Sequence, residues 1–175
     1  MKPALRKLLL TTHVTVSLGW FGAAAAILAL SVVGLTTVDV ELAKAGYRAT
    51  EVIWRSLIIP FSLAALVTGV VQALGTRWGL FRHYWVLTKF AITVGAVLLL
   101  LLHTNSLLPA LARAAVDGSA IVIDGHAHGH GGLPPRVHLV IAASGTLLLL
   151  LTAAILSIYK PRGRTRFGRH AEAKA

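Results

Sequence analysis

The stretch LLLTTHVTVSLGWFGAAAAILALSVVGL, residues 8–35, contains no charged residue over 28 positions. A helix needs roughly 20 apolar residues to cross about 30 Å of hydrocarbon, so this stretch is long enough to span a membrane. Three further uncharged runs follow, at residues 56–75, 90–112 and 137–159. A mean hydropathy of +0.76 and a hydrophobic share of 56% also lie outside the balance of soluble domains. The sequence therefore predicts a polytopic membrane protein.

The predicted fold is an all-α bundle of four transmembrane helices in one domain, residues 1–160, followed by a basic cytoplasmic tail, residues 161–175. The expected spans cover about residues 8–35, 50–75, 86–108 and 135–159. We expect an interfacial turn through Tyr47, a second helix capped by Thr50 and kinked at Pro60, and a long outer loop over residues 109–135. Rows of small residues, such as Gly19 and Ala23, favour close helix packing.

The distribution of the charges that give the net +11 indicates how the chain is oriented in the membrane. If both termini are cytoplasmic, 12 of the 17 basic residues lie inside, and five of the six acidic residues lie outside. Basic loops remain on the cytoplasmic side, so this distribution predicts that both termini face the cytoplasm of a bacterial plasma membrane. We expect the basic tail to bind anionic lipid at the membrane surface, and we do not expect it to bind nucleic acid.

Histidines at membrane depth are the chemical lead, because polar groups there are costly. His103, near the end of the third span, and His138, near the start of the fourth, should lie at similar depth on antiparallel helices. Glu51 and Arg55, one turn apart on the second span, join this outer layer. His13, on one face of the first span with Ser17 and Trp20, forms a looser inner layer with His83.

Several interpretations of the outer layer stay open. His103 and His138 are suited to be axial ligands of haem b, with Arg55 on a propionate. The same two histidines with Glu51 are suited to hold a transition metal ion such as Cu or Zn. Alternatively, these histidines are interfacial side chains that reach headgroups or backbone carbonyls, or they relay protons.

The outer-loop sequence GHAHGHGG, residues 125–132, places His126, His128 and His130 at alternate positions. In an extended chain, alternate side chains face the same way and can share a divalent ion. The glycines oppose a specific site, because ordering a flexible segment costs about 1–2 kcal/mol per residue. Adventitious metal binding is the competing interpretation.

Other chemistry is not indicated. The chain contains no cysteine, which excludes disulfides, iron–sulfur clusters and thiolate metal sites. It shows no nucleotide-binding glycine loop, no paired catalytic carboxylates and no triad-like arrangement. A hydrolytic enzyme is therefore not expected, and a redox role requires bound haem.

The segments HVTVSLGW, residues 13–20, GTRWGLFRHYWVLTK, residues 75–89, and SIYKPRG, residues 157–163, resemble a group of uncharacterised actinobacterial four-helix integral membrane proteins. The resemblance covers nearly the whole chain and implies an inner-membrane location and a four-helix fold. It implies no activity. A weaker similarity is to the copper-resistance D family and cytochrome b561-like bundles. This chain departs from their haem pattern, because no two helices supply both an inner and an outer histidine pair.

We therefore expect an integral membrane protein that binds haem b or a transition metal near its outer face. The alternative is a cofactor-free structural or accessory subunit, which associates with a second copy or with another membrane protein.

Overall fold

The computed structural model of the chain describes residues 2–75, 83–117, 135–159 and 163. These residues form five α-helices and one π-helical turn. The elements are α1 (Pro3–Thr36), α2 (Val40–Ile53), the π turn (Trp54–Ile58), α3 (Ile59–Gly75), α4 (Tyr84–Asp117) and α5 (Pro135–Tyr159). Within the described ranges, four helical segments are long and apolar enough to cross a membrane: Pro3–Thr36, Val40–Gly75, Tyr84–Leu102 and Val137–Tyr159. The all-α prediction with four candidate spans is confirmed.

The second span begins ten residues earlier than predicted, so the expected cap at Thr50 and the interfacial turn at Tyr47 are wrong. The N-cap of α2 is Asp39, whose carboxylate accepts the backbone N–H groups of Glu41 at 2.9 Å and Leu42 at 3.2 Å. Tyr47 and Thr50 lie inside α2 and are buried. Their spacing puts them on one helical face, which packs against α1.

The π turn stands directly before Pro60, where the sequence predicted a kink. Proline has no backbone N–H, so the carbonyl of Ser56 cannot receive the bond that an α-helix would give it. In the structure, the N–H of Ile59 donates to the carbonyl of Trp54, five residues earlier. The wider π turn thus lets the helix continue although Pro60 lacks an amide donor. As a result, α2, the π turn and α3 form one candidate span.

The helix of the third span is also longer than predicted. We expected it to end at Leu108 and a loop to begin at Pro109, but α4 continues through Pro109 to Asp117. The residues after Pro109, ALARAAVD, are mostly good helix formers, which explains why the helix resumes. Most of the predicted outer loop, residues 118–134, lies outside the described residues.

The helices form a closed ring. Helix α1 packs against α2, α3 and α5, and α4 packs against the same three helices, so α1 and α4 are diagonal to each other. The core is centred on Trp20, Ile27, Ile58, Val97 and Leu139. We call the end where α1 and α4 begin and α3 and α5 end the terminal end, and the opposite end the loop end.

Small residues permit the closest approach between α1 and α3. A Cβ atom added to Gly19 would lie 2.6 Å from Cε2 of Phe61, and Ala23, one turn further along α1, is 5% exposed. The row predicted on α1 therefore does face a neighbouring helix. Gly22, three residues after Gly19, is exposed and would meet nothing within 4 Å.

We predict that Gly19→Ala destabilises the bundle and that Gly22→Ala does not. The added methyl at position 19 must displace the Phe61 ring, and overpacking of this kind typically costs about 1–3 kcal/mol. At position 22 the methyl has open space, and alanine gains helix propensity of up to about 1 kcal/mol over glycine. Thermal unfolding in one mild detergent measures both variants. Equal melting temperatures for the two would contradict the close α1–α3 contact.

Candidate functional site

A cavity of about 280 Å³ lies between α1, the π turn, α4 and α5, in the half of the bundle nearer the loop end. Small and aliphatic side chains form most of its wall: Ala24, Ile27, Ile58, Ala96, Leu99, Leu100, Leu139, Ile141, Ala142, Ala143, Gly145 and Leu149. Its volume is near the lower limit of small-molecule sites, which span roughly 300–1,000 Å³. Leu99 and Ile141 are more than half exposed, so the cavity reaches the outside of the bundle between α4 and α5.

Three polar side chains also line this cavity: His138, Trp54 and Thr146. The indole N–H of Trp54 donates to Oγ1 of Thr104 at 3.0 Å, and Oγ1 of Thr146 donates to the carbonyl of Ala142 at 2.9 Å. His138 is half-buried in the first turn of α5 and supplies the one imidazole among the lining residues that the structure describes.

His103 belongs to α4, but its side chain lies outside the described part of the structure. Its position follows Leu99 and Leu100, which line the cavity, by four and three residues. Residues at these spacings share a helical face. The backbone therefore places His103 on the α4 face that borders the cavity, while its pairing with His138 stays a prediction.

The two charged members of the predicted outer layer bind each other. The guanidinium of Arg55 contacts one carboxylate oxygen of Glu51 through Nη2 at 3.0 Å and through Nε at 3.2 Å. The Arg55 side chain is 62% exposed and that of Glu51 is 27% exposed. Neither residue lines the cavity. The pair thus lies at the loop end, beside the cavity rather than in it.

The described residues contain no group of three or more histidine, aspartate or glutamate side chains close enough to hold a metal ion. That statement does not extend to the His-rich segment, because His126, His128 and His130 lie outside the described residues. The metal site predicted from that segment stays a prediction.

His13 lies in the terminal half of the bundle and joins α1 to α3. Its Nδ1 atom is 2.9 Å from Oγ1 of Thr68, whose hydroxyl donates to the carbonyl of Ala64 at 2.6 Å. Since that hydroxyl has one proton, Thr68 accepts from His13, and we assign the proton of the imidazole to Nδ1. A Cβ atom on Gly69 would lie 3.2 Å from the ring, so the glycine admits His13 at this depth.

Two more polar contacts lie in the same half. Nε2 of Gln72 donates to the carbonyl of Leu9 at 2.7 Å, which adds a second bond between α1 and α3. Nζ of Lys89 donates to Oγ of Ser157 at 2.6 Å and joins α4 to α5. His83, the other predicted member of the inner layer, lies one residue before α4, where its carbonyl accepts the N–H of Leu87 at 3.2 Å.

The sequence did not point to Thr68, Gln72 or Ser157, nor to the cavity. A signal for Gln72 and Lys89 was present, because each is a strongly polar residue within or beside an uncharged run, and such residues need partners in a bilayer. Threonine and serine occur throughout these helices, so no pattern distinguishes Thr68 and Ser157 from the other hydroxyl residues.

Comparisons with protein-family models, with curated proteins and with solved structures found no match for this chain. The function is therefore inferred from the geometry of the cavity and of the polar contacts between helices.

We predict that Thr68→Val lowers the free energy of unfolding more than Thr152→Val does. Both threonines donate to a carbonyl of their own helix, but only Thr68 also accepts a bond from another helix. Interhelical hydrogen bonds in membranes average about 0.6 kcal/mol and reach about 1.7 kcal/mol. We expect a difference of about 1 kcal/mol, measured by reversible unfolding in mixed micelles.

Nitrogen NMR of ¹⁵N-labelled histidine tests the same contact without unfolding the protein. The wild type should show His13 with its proton on Nδ1, and Thr68→Val should shift that resonance while Thr152→Val leaves it in place. An Nε2-protonated ring in the wild type would contradict the assignment.

Proposed function

We propose that this chain is a multi-pass protein of a bacterial plasma membrane that binds haem b in the loop-end cavity, with His138 as a ligand to the iron. One observation supports the proposal: an apolar, small-residue cavity that opens between α4 and α5 contains, among the described residues, one imidazole. Its apolar lining suits an apolar group that needs one or two ligand atoms from the protein, and at about 280 Å³ it holds only part of a haem, so the rest of the macrocycle would extend through the opening.

The donor set favours haem over a bare metal ion. A transition metal ion in a protein takes about four ligands from side chains and water. The described lining residues contain one imidazole, and the polar groups of Trp54 and Thr146 are hydrogen-bonded to Thr104 and to the carbonyl of Ala142. Glu51, the predicted third metal ligand, is held by Arg55. A porphyrin brings four nitrogen ligands of its own, so His138 alone, or His138 with His103, completes the set.

The protein's own residues have distinct roles in this proposal. His138 would hold the iron through an imidazole nitrogen, and His103 is the candidate for a second ligand. The apolar wall excludes water and lowers the local dielectric constant, which tunes a redox centre. Arg55 is the candidate partner for a propionate and must then exchange its bond to Glu51. Bound haem would supply one-electron redox chemistry.

The orientation is part of the proposal. The basic residues collect at the terminal end and in the tail, so we place both termini in the cytoplasm. The cavity with His138 then lies in the outer half of the membrane, and His13, Gln72 and Lys89 lie in the inner half. The bacterial plasma membrane itself follows from the resemblance to actinobacterial proteins.

A second candidate is a cofactor-free accessory subunit, and the outer face of α1 favours it. Gly22 and Ala26 are both exposed, lie one turn apart, and Gly22 has open space beside it. Small residues at this spacing let a second transmembrane helix approach closely. A membrane partner or a second copy of the chain would then cover this face.

We predict a Soret band in wild-type protein purified in mild detergent after expression with added haem precursor. His138→Ala should abolish the band, because it removes the axial nitrogen. Gly145→Leu should also abolish it, because this glycine lines the cavity and has nothing within 4 Å of an added Cβ, so a larger side chain starts in open space and can occupy the cavity.

Two controls make this experiment decisive. His13→Ala removes a histidine from the other half of the bundle and should leave the band intact. Melting temperatures of all variants show whether they fold. A colourless wild type from haem-supplied cells, or a band that survives both cavity substitutions, would contradict haem binding in this cavity and leave the accessory role as the better account.

A further inference from the structure

The loop-end cavity opens toward the hydrocarbon of the membrane. Two residues of its wall, Leu99 on α4 and Ile141 on α5, are 53% and 54% exposed. Both lie within candidate membrane spans. The other exposed residues at positions 94–102 and 137–150 are all leucine: Leu98, Leu101, Leu102 and Leu148. An opening surrounded by exposed leucines within a membrane span meets lipid chains rather than water.

The lining of the cavity matches one leaflet of the bilayer in depth. On α5 it runs from His138, next to the start of the span at Val137, to Leu149. The helix rises by about 17 Å between these two lining residues, and half of a hydrocarbon core of about 30 Å is about 15 Å. The cavity therefore lies alongside the chains of the lipids in the loop-end leaflet, from their headgroup side to the middle of the bilayer.

Water is a poor occupant of this cavity. A volume of about 280 Å³ has room for several water molecules, and each needs two to four polar partners. Among the described lining residues, the indole N–H of Trp54 and the hydroxyl of Thr146 are hydrogen-bonded within the protein, and His138 is the one other polar side chain. One imidazole does not provide the partners that a cluster of waters needs.

An acyl chain is the occupant that the surroundings supply. If the cavity stayed empty, the atoms of its wall would lose their dispersion contacts on that side. A lipid chain restores these contacts, and it gives up no hydration when it enters, because it comes from hydrocarbon that is already outside water. The same wall in a soluble protein would have no such neighbour.

We propose that an acyl chain of a phospholipid from the loop-end leaflet enters between Leu99 and Ile141 and binds in the cavity, against Ile58 and Leu139. This proposal concerns the protein without haem and does not rest on haem binding. Haem and the chain exclude each other, so haem that binds in the cavity must displace the chain through the same opening.

Photo-crosslinking tests the site in the haem-free, full-length protein, reconstituted in liposomes of phosphatidylcholine that contains a diazirine in the middle of one chain. After illumination, mass spectrometry locates the labelled residues. We expect label on Ile58 and Leu139, which line the cavity although they are only 2% and 1% exposed. Trp20 and Tyr47 are the matched controls, because they are 1% and 4% exposed and do not line the cavity, and they should carry no label.

Two glycine variants separate the cavity from the lipid-facing surface. Gly145→Leu places a large side chain in the cavity and should remove the label from Ile58 and Leu139, while the exposed Leu148 keeps its label. Gly22→Leu adds the same side chain at a glycine that is exposed and does not line the cavity, so the interior label should remain.

Three results would overturn the proposal: label confined to exposed residues, equal label on the buried controls, or interior label that survives Gly145→Leu. The first two come from the wild type alone, so they decide the matter even if the variant does not fold. A colourless protein in the haem experiment would leave this proposal standing, because the labelled protein contains no haem. Conversely, a Soret band together with an unlabelled interior in the haem-free protein would overturn this proposal only.

Discussion

The hydrocarbon of the bilayer offers no hydrogen-bond partners, and this constraint governs most of the structure. A polar side chain at membrane depth is costly unless it finds a partner within the protein or at the interface. Among the described residues, the buried indole N–H of Trp20 is an exception, because it has no hydrogen-bond partner. The hydroxyl residues find partners by donating to carbonyls three or four residues earlier on their own helix, as Ser31, Ser62, Thr68, Thr93, Thr104, Thr146, Thr152 and Ser157 do. Within the described residues, side chains of His13, Gln72, Trp54 and Lys89 form hydrogen bonds between helices. These bonds help to fix how neighbouring helices meet.

The interhelical bonds divide the bundle into two unlike halves. The terminal half contains His13, Gln72 and Lys89, is basic, and has no acidic side chain within its described residues. The loop half contains the apolar cavity with His138 and the acidic residues of α2. An apolar cavity suits an apolar cofactor, so the proposed haem site belongs to the loop half.

The sequence predicted the spans from a single property, the absence of charge over about 20 residues, because the bilayer imposes that length directly. The prediction of helix bounds failed where tertiary contacts decide where a helix begins. The extension of α2 back to Asp39 depends on the packing of Tyr47 beside Gly34, which residue type alone does not reveal. For the candidate site, the sequence singled out His138 by depth and placed Glu51 and Arg55 one turn apart in the same layer. The cavity could not be predicted, because it arises where small residues of three helices and the π turn meet.

The most direct test is the accessibility of single cysteines, since the native chain has none to interfere. Val38 is 95% exposed between α1 and α2, and Lys2 is exposed before α1. In intact spheroplasts, a membrane-impermeant maleimide should label Val38→Cys, and it should label Lys2→Cys only after permeabilisation. This result would place the terminal end in the cytoplasm and the cavity toward the outside. Labelling of both positions from one side, or the reverse pattern, would contradict the account.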